Sequence, residues 1–281
     1  MLGDAISAEA YKFLRNRSNI FWGFCVVPLG LLLYNLALDT YLKSHSSGLN
    51  PLSVLAMMML RVDLGRQVLR ALGLSSSAFV KIFFAVGAAG LFGNEYRWET
   101  WRLLTPRNSR ANLLSAKAIV YLLACAVSLV ALALVALICG FYNWALNGGS
   151  LAVEPGFAST ALSMFLIDWA DLAVLGLFVG LVAVACRVTT GALMAGVVFA
   201  FAQAIAISII PMWDAPLRDF ALLPALCADL LRAWVSGAQI APGITADPAK
   251  VFPAALFLAV WIMLLGGAAL VRFQRQDLPR E

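Results

Sequence analysis

Six stretches of this chain are apolar for about 20 residues or longer. They run from Ile20 to about Leu42, from about Leu74 to Gly93, and from Leu113 to Trp144. The others run from Ser159 to Cys186, from Gly191 to Trp213, and from Val251 to Val271. The hydrocarbon core of a bilayer is about 30 Å thick, and about 20 helical residues cross it. The pattern therefore predicts an all-α polytopic membrane protein with six transmembrane helices. The second stretch is the weakest, because its apolar part is short and carries Lys81. The third is long enough, at ~48 Å of helix, to tilt or to project beyond the membrane.

Composition agrees. Of 281 residues, 62% are hydrophobic and 12% charged, against about 45–50% and about 25% in soluble domains. This excludes an ordinary soluble enzyme and a disordered chain, and leaves little room for a second domain beside one transmembrane domain spanning 1–281. The net charge of +5 is read as basic residues retained on one side of a membrane, not as a nucleic-acid surface. Twelve of the twenty Lys and Arg residues fall in the N-terminal segment, in 97–117, at Arg187 and in the C-terminal tail. The loop from Asn147 to Ala158 has none. By the positive-inside rule both termini are expected in the cytoplasm, which needs an even number of crossings. The expected neighbours are membrane lipids.

Three other segments have readable patterns. In residues 1–18, Ile6, Ala10, Phe13 and Leu14 share a helix face, with Glu9, Lys12 and Arg15 away from it. That predicts an amphipathic interfacial helix. Two outer loops, Asn50 to Leu72 and 214–250, mix apolar and charged residues. In the second, Leu226, Leu230, Leu231 and Trp234 fall at helical spacing between prolines. Both read as interfacial or re-entrant helices, or as loop helices packed on the spans.

Catalytic and metal signatures are sparse. Cys25, Cys125, Cys139, Cys186 and Cys227 form no CxxC pair, and four sit in apolar runs. They read as small hydrophobes, with no disulfide or metal site. His45 is the only histidine, so a two-His zinc motif and a nucleophile–His pair are both excluded as metal and catalytic readings. No GxxxxGK[ST] phosphate loop occurs.

Between the second and third apolar runs lies Phe92-Gly-Asn-Glu-Tyr-Arg-Trp-Glu-Thr-Trp-Arg-Leu-Leu-Thr-Pro-Arg-Asn-Ser-Arg, ending at Arg110. From Glu95 to Leu104 nothing breaks a helix, and Pro106 ends it. Trp98 and Trp101, one turn apart, suit the headgroup layer. Arg102 and Arg107 would face the cytosol or a partner. On physical grounds this is a short interfacial helix, either a connector or a docking element.

The residue order resembles the cytoplasmic segment of ABC-2 type transporter permeases, the membrane subunits of one class of ABC exporters. The matching positions are Glu95, Thr100, Leu103, Leu104, Pro106, Arg110, Leu113, Leu114 and Lys117. The opening Ala8-Glu-Ala-Tyr-Lys-Phe-Leu-Arg-Asn-Arg-Ser18 is similar to the surface helix that begins these proteins, and the six-span layout fits over nearly the whole chain. One position departs: Glu99 stands where the family has Gly before Thr, which removes backbone freedom and adds a charge three residues before Arg102. The resemblance implies a non-catalytic permease acting as a dimer of this chain. ATP and Mg would be bound by a separate cytoplasmic ABC ATPase. The coupling segment 95–110 would dock on it through Glu95, Trp98, Glu99, Trp101, Arg102, Pro106, Arg107 and Arg110.

Three charges lie inside apolar runs: Lys81, Asp168 and Asp171. Burying a charge is costly, so such residues usually find partners or line a wet path. The two aspartates are i,i+3 and share a helix face. By the predicted topology all three lie toward the outer leaflet. The readings left open are a structural ion pair, a polar lining of a transport path, and a proton site. Two other functions compete with the exporter: a proton-coupled secondary transporter using Asp168 and Asp171, and an intramembrane lipid-modifying enzyme.

Overall fold

A computed structural model describes residues 2–45, 62–97, 108–147, 150–210, 212–240 and 242–276. Ten helices are described: α1 Leu2–Arg15, α2 Arg17–His45, α3 Leu64–Gly73, α4 Ala78–Arg97 and α5 Arg110–Asn147, then α6 Phe157–Cys186, α7 Thr189–Ile209, α8 Leu217–Leu222, α9 Pro224–Ser236 and α10 Pro248–Gln274. Six of them, α2, α4, α5, α6, α7 and α10, are long and apolar enough to cross a membrane. The protein is an all-α, multi-pass membrane protein. Its only strands are two-residue pieces among the described residues, β1 Val62–Asp63 and β2 Leu151–Ala152, paired in parallel. They tie the start of α3 to the loop before α6.

The helix α6 is the hub. It packs on α4, α5, α7 and α10, and on α3 and α9. Burial follows this order: 61% of the apolar stretch of α4 and 56% of that of α6 are buried, but only 17% of α2 and 22% each of α7 and α10. The poorly buried spans turn Leu33, Tyr34, Val198, Ile205, Phe252 and Met263 outward, as residues facing lipid would be. One core gathers Phe24, Phe84, Phe92, Tyr121, Leu129, Leu172 and Val179. A second lies on the other side of α6, where Phe220, Leu226, Leu230, Leu258 and Leu265 meet Val174.

Close backbone approach sets several crossings. A Cβ on Gly23 of α2 would sit 2.6 Å from Gly87 Cα of α4, and one on Gly176 would sit 2.0 Å from the Tyr121 ring. Small residues let helices without a hydrophobic driving force pack tightly. Near the first crossing α2 is distorted: Phe21–Cys25 form a π-helical turn. Pro28 has no N–H to donate to the Phe24 carbonyl. Ser128 of α5 donates to that carbonyl instead, at 2.7 Å, and Asn19 donates to Gly87 O at 3.2 Å. The first bond satisfies a backbone group that Pro28 leaves without its helical donor; the second ties α2 to α4 at the close crossing.

The two loop segments that carry α3 and α9 pack onto the spans. In α3, Leu64, Val68, Ala71 and Leu72 are buried, while Arg66 and Arg70 are exposed. The 3₁₀ turn Leu74–Ser76 then separates α3 from α4. The two helices run beside α6 in sequence. A Cβ on Gly65 would meet Phe157, one on Gly73 meets Met164, and Phe92 covers Gly180. Thus the run expected from Leu74 to Gly93 starts at Ala78, below a break. The serines at 75–77 after Gly73 are poor helix propagators, and Ser76 bonds back to Gly73 O. The helix α9 packs on α6, α7 and α10, with Leu226, Leu230 and Leu231 buried but Trp234 exposed.

Candidate functional site

The structure holds two buried charge clusters, one near the middle of the bundle, built on Lys81, Asp168 and Asp171, and one at the end where α1 and Gln276 lie, called here the terminal end, which takes in Glu95. In the middle cluster Lys81 Nζ donates to Asp171 Oδ1 at 2.9 Å. Arg232 of α9 then bridges both aspartates, with Nε 2.7 Å from Asp168 Oδ1 and Nη2 2.6 Å from Asp171 Oδ2. Its third nitrogen, Nη1, reaches Asp229 Oδ1 at 2.6 Å. Side-chain exposure is 7% for Lys81, 8% for Arg232, 0% for Asp168 and 4% for Asp171, but 26% for Asp229. The four deepest groups balance, two cations against two carboxylates, and the fifth reaches the surface. Such balance is what makes buried charge tolerable.

The aspartates lie close to the midpoint of α6. The helix α3 packs beside one end of α6, so Lys81, near the start of α4, meets α6 at that midpoint. Two polar atoms in this region have no hydrogen-bond partner: Asp168 Oδ2 and Ser75 Oγ, both buried. Arg232 and Asp229 escaped the sequence reading, which recorded only the apolar stripe of their helix. The available signal was an Asp and an Arg at i,i+3 within that stripe, beside an unmatched pair of aspartates elsewhere.

At the terminal end, Lys117 of α5 is 2% exposed. Its ammonium has three donors and reaches Glu9 Oε2 at 2.7 Å, Glu95 Oε2 at 2.7 Å and Leu91 O at 3.0 Å. Lys12 closes the ring, 2.8 Å from Glu9 Oε1 and 3.5 Å from Glu95 Oε1. Burial works to raise the Glu9 carboxyl, but Lys117 and Lys12 outweigh it and hold Glu9 below its usual range. For Lys12 burial works to lower the ammonium, and the two glutamates more than offset it. This corrects the expected orientation of α1. Glu9 does not lie on an outward polar face; it is 5% exposed beside Ala5. Ile6, Ala10 and Phe13 pack against the core, while Tyr11 and Leu14 are exposed. A buried lysine on a neighbouring span outweighs the helix's own amphipathic division.

Arg110 also has a definite place. Its Nη1 donates to the carbonyls of Phe273 at 3.3 Å, Gln274 at 3.1 Å and Gln276, a basic cap on the end of α10. Gln276 accepts from Tyr96 OH at 3.0 Å and donates to Val184 O at 3.1 Å. The ends of α4, α5, α6 and α10 are thereby laced together. Of the expected coupling segment, Glu95 and Arg110 are thus located. Trp98, Glu99, Trp101, Arg102, Pro106 and Arg107 lie outside the described residues.

All five cysteines are free thiols. Among the described residues, no group of three or more His, Cys, Asp or Glu side chains is arranged to hold a metal ion. Comparison of the chain with protein-family models and with curated protein sequences gave no significant match in either case.

Proposed function

We propose that this chain is the membrane subunit of an ATP-driven exporter of the ABC-2 permease kind. It would work as a dimer with a separate cytoplasmic ATPase that binds ATP and Mg, in the inner membrane of a bacterium, with both termini in the cytoplasm. The observation that carries the reading is the anchoring of the two ends of segment 95–110. Glu95 is held by Lys117 and Lys12, and Arg110 grips the end of α10. A force applied to the residues between them would reach α1, α4, α5 and α10 together. That is what a permease needs when closure of an ATPase dimer must move several spans at once.

Trp98, Trp101 and Leu104 at i, i+3 and i+6 would anchor the segment in the headgroup layer. Arg102 and Arg107 would meet carboxylates of the ATPase, for which the guanidinium fork is suited. Loss of one such contact costs about 2 kcal/mol, more than tenfold in binding. The test is co-purification and transport with an ABC ATPase, sought first among the genes neighbouring the one for this chain. Arg102→Glu and Trp101→Ala should each weaken ATPase capture or uncouple hydrolysis from transport, while Arg275→Glu in the tail should do neither. If both variants bound and transported as the parent does, the segment would be a plain connector and the proposal would be wrong.

One observation favours a second reading, proton-coupled transport. Asp168 is fully buried, and its Oδ2, beside the Ser75 hydroxyl, is bonded by no cation, so this carboxylate is the one in the cluster whose charge is least compensated. Transport driven by a proton gradient without ATP, and lost in Asp168→Asn, would replace the exporter reading.

A further inference from the structure

A polar cleft of about 250 Å³ lies between α2, α3 and α5 and belongs to neither ion cluster. Both α2 and α3 pack on α5, and the cleft lies between them. Its polar walls are Asn35 and Asp39 from α2, Gln67 and Arg70 from α3, and Asn143 from α5. Their chemistry is segregated. Asn143 Nδ2 donates to Asp39 Oδ1 at 3.0 Å, and Asn35 Nδ2 donates to its own helix at Leu31 O. This leaves Asp39 Oδ2 and the two amide oxygens as acceptors on the α2–α5 side. On the α3 side, Gln67 directs Oε1 toward Gly140, which leaves its Nε2 to donate beside the Arg70 guanidinium. Neither Gln67 nor Arg70 bonds another described side chain. Asp39 and Arg70 share one cleft yet do not pair, so a gap separates a cluster of acceptors from a cluster of donors.

We propose that this cleft binds a phosphate–ammonium zwitterion, the phosphoethanolamine group carried by ethanolamine phospholipids. The phosphate accepts from Arg70 and Gln67, charge-assisted bonds that favour guanidinium. The primary ammonium has three N–H donors, and the opposite wall has three acceptors. A quaternary ammonium has none to give. The level of the cleft fits a lipid. The 29 residues of α2 make ~43 Å of helix, about the thickness of a bilayer with its headgroups. Asp39 lies six residues before the end of α2, ~9 Å along the axis. That is the level of the headgroup–hydrocarbon boundary. Free phosphoethanolamine has the same chemistry without the chains. The inference does not rest on the exporter reading, because it concerns binding to this chain alone.

The test uses the full chain, purified and delipidated in mild detergent, and titrated by calorimetry. The probes are short-chain phosphatidylethanolamine, the matching choline and glycerol lipids, and free phosphoethanolamine. The ethanolamine lipid should bind saturably, and the choline lipid at least about tenfold more weakly, since a hydrogen bond to a charged group is worth that much. Arg70→Gln should weaken ethanolamine and glycerol lipids alike. Asp39→Asn should weaken only the ethanolamine lipid, with Asn35→Leu as a second probe of the same wall should Asp39→Asn fail to fold. Arg218→Gln, away from the cleft, should change nothing. Tighter binding of the lipid than of free phosphoethanolamine makes the membrane the source; equal binding makes it the aqueous phase, and either outcome upholds the site. No saturable binding, equal affinity for choline and ethanolamine lipids, or wild-type affinity in Arg70→Gln would overturn it.

Discussion

Replacing Arg232 with methionine removes more than one ion pair. Asp168 has its only ion pair with Arg232, through Nε, and its other oxygen lies beside the Ser75 hydroxyl. Asp171 loses one of two cations and keeps Lys81 at 2.9 Å. Asp168 is therefore left fully buried with a charge and no cation bonded to it. Breaking a buried pair in this way costs about 3–5 kcal/mol, and this variant should lie at the upper end. Lys81→Met should cost less, about 3 kcal/mol, because Asp171 keeps Arg232. The double variants decide the matter. Lys81→Met with Asp171→Asn removes a cation and a carboxylate together, so it should recover most of the loss and return to within about 1–2 kcal/mol of the parent. The coupling energy between the two positions should then be on the order of 2 kcal/mol, well above the scatter of independent sites. Equilibrium unfolding in detergent micelles titrated with SDS, followed by tryptophan fluorescence, gives the free energies. Arg218→Met, at a side chain 83% exposed, is the silent control. Were the Lys81 and Asp171 effects additive, or Arg232→Met no worse than the control, the cluster would not hold α4, α6 and α9 together.

Other consequences are more local. Because Lys117 and Lys12 outweigh burial and hold the folded Glu9 carboxyl below its ordinary 4.5, its contribution is complete above that pH and fades as pH falls through the depressed folded value. Amide protection factors in α1, corrected for the slower intrinsic exchange in acid, should fall as pH drops, and Glu9→Gln should give low protection at every pH; pH-independent protection in the parent would refute this. Gly176→Ala places a Cβ 2.0 Å from the Tyr121 ring and should cost about 1–3 kcal/mol, relieved by Tyr121→Leu; a neutral Gly176→Ala would mean the α5–α6 contact is loose. On the proposed topology, the native exposed Cys186 should resist membrane-impermeant maleimide in intact cells, whereas Ala238→Cys in a chain freed of native cysteines should react. The reverse pattern would invert the orientation.

What the sequence determined by itself is what depends on local composition and helical period. A helix in lipid satisfies its own backbone, so length and apolarity suffice to find the six spans. All six begin and end within about four residues of where the apolar runs put them. The amphipathic N-terminal segment and the inward-facing stripe of α9 were legible for the same reason. So was the need of Lys81, Asp168 and Asp171 for partners, since an apolar run makes a charge conspicuous. What only tertiary structure decided is which partner each charge takes. The link from Arg232 to residues 61 and 64 positions away has no local signature. Glu9 faces inward because of a lysine 108 residues later, against the preference of its own helix. The start of α4 depends on α3 filling the groove beside α6. Such choices are settled by packing and by the cost of leaving a buried charge alone, and both are properties of neighbours brought together by the fold, not of the segment that carries the residue.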